Sequence, residues 1–220
     1  MGSLAHVDTT APGLPRGRAS LAAETVEADQ RGRLLRAVVA TVAADGFPDA
    51  TVGAVVGRAR VSRAAFYRHF ADRTDCLLTA LADGLAVLLH AVESAAAAAD
   101  RDDPVAALRA GLGAYLRFMA AEPEFARCFS FDLLSAGAAA LDRRQEAHRR
   151  FAALTRAWHV RSGGAPLPDD TYLGLVGVVY ELVVDRLHRG VTDALTELEP
   201  TLVAVHLAVL GVSDVPPLGG

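Results

Sequence analysis

From residue 30 the apolar positions recur with helical spacing. Leu34, Leu35, Val38, Val39 and Val42 fall on one stripe, and Gly46 with Phe47 behind it supplies a C-terminal stop. This predicts a first helix over about 30–45. Thr51 then caps a short helix with Val52, Val55 and Val56 inward. A break follows near Ala59 and Arg60, and Ser62 caps another short helix whose Phe66 and Phe70, four residues apart, point the same way. Asp72-Arg73-Thr74-Asp75 opens a longer helix, with Asp72 as cap and Asp75 placed to favour the helix dipole. Leu77, Leu78, Leu81, Leu85, Leu88 and Leu89 carry its stripe into the Ala run 95–99.

The same period continues to the end of the chain. Asp102-Asp103-Pro104 restarts a helix through Leu108, Leu112, Tyr115, Leu116 and Met119 to about 121. Pro123 begins a shorter one with Phe125, Phe129 and Phe131, and a long polar-faced helix over about 138–160 is broken by Gly163-Gly164 and Pro166. Segments 169–189 and 196–210 complete the set; in the latter, Thr196-Glu197-Leu198-Glu199 fits a capping box that puts Pro200 in the first turn. No segment alternates like a strand, so the expected fold is all-α. Residues 1–28, rich in Pro, Gly, Ala and Thr without a period, read as a disordered tail in which Arg16 and Arg18 lie. The expected division is that tail, a first domain over 29–75, a larger helical domain over 76–212, and a short tail over 213–220.

Composition refines this picture. With 220 residues, 52% hydrophobic and 22% charged, the chain suits a soluble globular protein that needs neither disulfide nor metal to fold. Lys, Ile and Asn are absent, a bias toward GC-rich codons that removes any functional meaning from Arg-for-Lys usage. Cys76 and Cys128 stand far apart without CxxC spacing or a His pair, which argues against a zinc or redox site and for two small buried residues. The first residues lack the apolar region of a secretion signal, and the apolar run 173–184 is too short for a bilayer and carries Glu181. The expectation is a cytoplasmic protein with no membrane partner. Net charge is −4, yet residues 31–75 hold eight Arg against four Asp, which makes that stretch +4 and the remainder −8. A basic segment followed by an acidic one predicts two parts with different partners.

Two short helices over 51–58 and 62–70, joined by about three residues and preceded by a supporting helix, form a helix-turn-helix arrangement. With Phe66 and Phe70 turned to the core, Arg63, Ala64, Tyr67 and Arg68 are left outside or at its margin. Arg63, near the helix start, has the reach and fork for guanine O6 and N7, whereas Tyr67, His69 and Arg73 suit phosphates. At these residues the chain resembles the tetracycline-repressor (TetR) family of bacterial transcription regulators. The run Val61-Ser62-Arg63-Ala64-Ala65-Phe66-Tyr67-Arg68-His69-Phe70 is similar to its recognition helix, flanked by Gly46-Phe47, Ala50-Thr51-Val52, Asp72-Arg73, Asp75 and Leu77-Leu78. The resemblance implies phosphate contacts by Thr51, Tyr67, His69 and Arg73, and base-facing positions at Arg63, Ala64 and Ala65. It also implies double-stranded operator DNA as partner and a small-molecule effector. Arg60 stands where the family usually places a turn glycine, and Val56 where it usually has a small Ala.

In the acidic part the aromatic residues gather, with Tyr115, Phe118, Phe125, Phe129 and Phe131 followed by Trp158, Tyr172 and Tyr180. For the effector pocket the resemblance implies, the expected walls are Tyr115, Met119, Phe129, Trp158 and Tyr180. Heptad spacing in the last two helices predicts a homodimer seam of Leu173, Val176, Tyr180, Val183 and Leu187 with Leu198, Leu202, Val205 and Val209, and Leu195 at the same period. His148, His159, Asp132, Glu181 and Asp185 are the best material for catalysis, but no HExxH, GxSxG, GxGxxG or P-loop pattern occurs. No enzyme activity, cofactor or metal is therefore expected. Arg143, Arg144, Arg149 and Arg150 offer a charged surface that reads as a solvated face.

Overall fold

Local capping sets the order of elements in the computed structural model, which describes residues 23–100, 103 and 105–212. Among these there are nine α-helices and no strand: α1 (Ala23–Asp45), α2 (Val52–Ala59), α3 (Arg63–His69), α4 (Arg73–Ala98), α5 (Ala106–Ala121), α6 (Pro123–Ser130), α7 (Ala138–Arg161), α8 (Asp169–His188) and α9 (Glu199–Leu210). Two 3-10 segments, Asp132–Ala136 and Thr192–Leu198, join the later helices. The all-α expectation holds. Residues 1–22 and 213–220 of the expected tails, and Asp102 and Pro104 of the expected helix start, lie outside the described residues.

Two boundaries differ from expectation. The first helix starts at Ala23, seven residues early, because the core-anchored stretch propagates backward through good helix formers whose side chains stay largely exposed. The last helix starts at Glu199 with Pro200 in its first turn and no side-chain cap, so Thr196 belongs to the preceding 3-10 segment and closes no capping box. Pro200 is tolerated there because a first-turn residue needs no N–H.

The described residues form two compact units, one drawn from 1–84 with Glu124–Arg143 and the other from 85–123 with 144–220. In the first, the interior holds Leu34, Val38 and Val42 of α1, Val55 and Ala59 of α2, Phe66 and Phe70, and Phe125, Cys128 and Phe129. Gly46, at φ +80, turns the chain at the end of α1, and its amide donates to the Val42 carbonyl at 2.8 Å. In the second unit, Val105, Leu108, Trp158, Tyr172, Leu175, Val176, Val203 and Leu210 pack together. By length and composition α4 is long and apolar enough to cross a membrane. Its Leu77, Leu81 and Leu88 are buried within the protein, and Asp75, Asp83 and Glu93 mark its exposed side.

Candidate functional site

The site is built on α2 and α3. The Thr51 hydroxyl accepts from the Ala54 amide at 3.1 Å, and the Ser62 hydroxyl accepts from the Ala65 amide at 3.1 Å. Each cap leaves the hydroxyl's own proton to donate outward. Between the helices Arg60 adopts φ 53, ψ 43, and its amide closes the turn on the Gly57 and Val56 carbonyls. A left-handed residue with a Cβ costs about 1 kcal/mol relative to glycine. The turn therefore keeps the geometry of a glycine turn and adds a guanidinium at its apex.

Ser62, Arg63, Ala64, Tyr67 and Arg68 are exposed on α3, with Tyr67 54% exposed. Phe66, edge-on to Tyr67 at 5.4 Å and 5.8 Å from Phe70, anchors the opposite side. Arg68 takes a hydrogen bond partner on α1, donating to Gln30 Oε1 at 3.2 Å. The outer surface of α3 is thus basic, aromatic and free of carboxylates, and the exposed Arg58 and Arg60 extend it, two residues that the recognition-helix pattern did not single out.

Two expected contacts, those of Ala65 and His69, are corrected, and Arg73 gains a structural role. Ala65 is 2% exposed and packs inward beside Phe66, so it faces no base. His69 is half-buried, its ring 6.2 Å from Phe70 and its Nε2 shielded and unbonded, so that nitrogen is turned away from any phosphate. Arg73 is drawn into the structure: its Nη1 donates to the Pro48 and Ala50 carbonyls and its guanidinium sits 4.5 Å from the centre of the Phe47 ring. Its first role is to hold the loop before α2 against the start of α4, with its remaining donors left for a phosphate. That start is itself capped twice, the Asp75 amide donating to Asp72 at 2.8 Å and the Ala71 amide to Asp75 at 2.9 Å.

Asp132, in the 3-10 segment after α6, supports the same loop. Burial raises its carboxyl above the usual range, opposed by the hydrogen bond from the Phe47 amide and by Arg127. Cys76 and Cys128 are buried and free. Burial first, and then nearby acids, push the Cys76 thiol up to about 12 and that of Cys128 higher still.

Of the expected pocket residues, Tyr115, Met119, Trp158 and Tyr180 lie in the second unit, and Phe129 does not. It stacks on Phe125 at 5.9 Å in the first unit, a correction with a simple cause: α6 is amphipathic and turns its aromatic side into that core. Met119 is wholly buried, and Trp158 belongs to the packed core with Tyr172. Tyr115 meets Phe151 edge-on at 5.5 Å, and its hydroxyl is raised by burial and then by Tyr180. Tyr180 receives a hydrogen bond from Arg144 Nη1 at 3.3 Å and stands edge-on to His148 at 5.3 Å. Arg144, His148 and Phe151, at spacings of four and three, share one side of α7. That cluster was missed because the same stretch reads as solvated charge.

Four residues of the expected dimer seam are also corrected. Val176, Val183, Leu198 and Leu202 are buried within the single chain, at 8%, 1%, 5% and 0% exposure, so no second chain can rest on them. Leu173, Tyr180, Leu187 and Val205 are half-buried, and Val209 is 48% exposed. The outward residues are Gly174, Gly177, Glu181 and Asp185 on α8 and Thr201, Ala204, Ala208 and Val209 on α9.

Residues 34–80 match the family described as bacterial regulatory proteins, tetR family. No curated protein matches the chain. Among solved structures, the chain is similar to the fatty acid degradation regulator FadR from Bacillus halodurans, with 17% identity and TM-score 0.71 over 80% of this chain and 96% of that one. It is similar also to a TetR-like transcriptional regulator from Rhodococcus sp. RHA1, with 20% identity and TM-score 0.63 over 89% and 98% of the two chains. A third is FadR from Bacillus subtilis in complex with stearoyl-CoA, with 12% identity and TM-score 0.70 over 82% and 98%. These likenesses establish the fold, and the family match covers the two short helices and their supports. Residues 34–80 are thus a TetR-family DNA-binding segment, carried on an all-helical fold like that of these solved regulators.

Proposed function

We propose that this regulator is a repressor that binds a palindromic operator as a homodimer and is released by a small apolar or aromatic effector. In this reading residues 29–75 contact DNA, 76–212 hold the effector and the dimer face, and the protein works in the cytoplasm. The observation that carries it is the outer surface of α3, where Arg63 and Tyr67 stand exposed on a helix held rigidly by Phe66 and by the Ser62 cap. Arg63 reads a base edge, and Thr51, Ser62, Tyr67, Arg68 and the remaining donors of Arg73 hold phosphates.

A single helix-turn-helix head buries little surface, and two related by a twofold axis read half-sites about 34–36 Å apart or a multiple of it. The dimer face in this reading is the outward side of α8 and α9, where Gly174, Gly177, Ala204 and Ala208 permit close approach and Val205 and Val209 offer apolar area. The effector lies among Tyr115, Phe151 and Tyr180, and its apolar character accords with the stearoyl-CoA of the Bacillus subtilis FadR complex. Release requires that the effector bind the DNA-incompetent conformation more tightly than the other.

The test is fluorescence anisotropy of the full chain with its own upstream DNA, paired with sedimentation. Salt-dependent binding of two chains per operator supports the proposal, with Val209→Glu giving monomers that bind weakly. Absence of salt-dependent binding, or a native monomer at micromolar concentration, refutes it.

A further inference from the structure

We propose that the effector is an organic carboxylate whose anionic group is bound by Arg144 beside Tyr180 and His148, with its apolar body against Tyr115 and Phe151. This rests on the effector reading above and names the chemistry of the same site.

The anchor is an arginine without an acid. Among the described residues no carboxylate pairs with Arg144, although Arg150 and Arg156 on α7 and Arg189 just past α8 each have one. Its Nη1 donates to the Tyr180 hydroxyl and its guanidinium lies 5.4 Å from the centre of the Tyr180 ring. Its Nε is shielded from solvent and has no hydrogen-bond partner among the described residues. A buried N–H of a cation with no acceptor is costly to leave so, and the Nε edge of a guanidinium is the edge that receives a carboxylate side-on through two parallel bonds.

The surroundings select the class of anion. Burial, and then Arg144 itself, pull His148 below its ordinary value, so at neutral pH the imidazole adds no second charge. One fixed positive charge matches one negative charge, which favours a carboxylate over a phosphate dianion. Tyr115, 8% exposed, and Phe151 continue the cluster as an aromatic wall with no ionised group. Because Nε is closed over, an entering anion has to part the Arg144 and Tyr180 side chains. Binding is thereby tied to a rearrangement between α7 and α8.

Calorimetry on the full chain without DNA tests this, with octanoate and 4-phenylbutyrate as probes and 1-octanol and 4-phenylbutan-1-ol as uncharged matches. The acids should bind the native protein at least tenfold more tightly than their alcohols. Arg144→Met should weaken the acids by about 10- to 100-fold and leave the alcohols unchanged, since a hydrogen bond to a charged group is what is lost. Arg144→Lys, which keeps the charge and loses the fork, should fall between, and it serves if the Met variant shows reduced helix content by circular dichroism. Equal affinity for acid and alcohol, unchanged acid binding in the variants, or no acid binding at all overturns the proposal. Loss of operator binding would instead sink the repressor reading, which the calorimetry on the DNA-free protein does not touch.

Discussion

Adding one carbon at Gly164 should destabilise the second unit through a buried hydrogen-bond chain. A Cβ built there runs into Nε2 and Cδ2 of His159, so the imidazole cannot stay. His159 is 1% exposed; its Nε2 is 3.1 Å from the Leu210 carbonyl and its Nδ1 is 2.9 Å from the Tyr172 hydroxyl. A carbonyl only accepts, so Nε2 donates to it; in the neutral ring Nδ1 then accepts from the Tyr172 hydroxyl, which itself accepts from the Leu167 amide at 3.1 Å. Gly164→Ala expels the ring, leaves the Leu210 carbonyl at the end of α9 and one Tyr172 hydrogen bond unmet, and strains the packing around them. Two buried unmet groups at about 1–3 kcal/mol each, less partial relaxation, give a loss of roughly 2–5 kcal/mol. For a chain of this size each kcal/mol lowers the melting temperature by about 2–4 °C, so the shift is on the order of 10 °C by calorimetric or dichroic melting. In a His159→Ala background the same substitution should cost far less, because the clash and the chain are already gone. A Gly164→Ala protein that melts with the native one, or additive effects in the double variant, would refute the reasoning.

Arg73→Ala should lower both DNA affinity and stability, the latter by about 1–3 kcal/mol from lost carbonyl and Phe47 contacts, whereas Arg63→Ala should leave the melting curve unchanged. Neither Cys76 nor Cys128 should react with a thiol-specific disulfide reagent in the native protein at about pH 8, and both should react after denaturation, since burial holds the thiols protonated well above their ordinary value. His206, buried and donating to the Leu202 carbonyl at 2.7 Å, is held below its ordinary value by burial despite that bond. Its folded form thus binds a proton less readily than the unfolded chain. The stability it contributes is full above about pH 6.5 and is lost as pH falls below that, so the melting temperature should drop from about pH 7 to about pH 5, less steeply in His206→Leu.

What could be read from the sequence follows the range of the interactions involved. Thr51, Ser62 and Asp72 were legible because a cap involves residues three apart, and the helical period of α1, α4 and α5 shows which side each helix buries. Periodicity does not show what covers a buried side. Val183 and Leu202 keep heptad spacing, yet neighbouring helices of the same chain cover them. Likewise Ala65 sits in a family-like run whose pattern of residue types does not separate the inner from the outer side of a seven-residue helix, and packing under Phe66 decides it. Arg144 and His148 look like surface charge in sequence, and only the pairing of α7 with Tyr180 of α8 brings them to an aromatic cluster. The 3-10 segment before α9 hid the helix start, because Leu195 and Leu198 continue the apolar period through it while the backbone winds more tightly.

The central claim is that α3 reads DNA through Arg63. Anisotropy titrations of the native chain and Arg63→Ala against the operator and a set of its single base-pair variants test it most directly. The native protein should discriminate at each half-site, and Arg63→Ala should lose about 1–3 kcal/mol on the operator together with its preference at one base position, with helix content intact. A variant that keeps the full base preference of the native protein would contradict it.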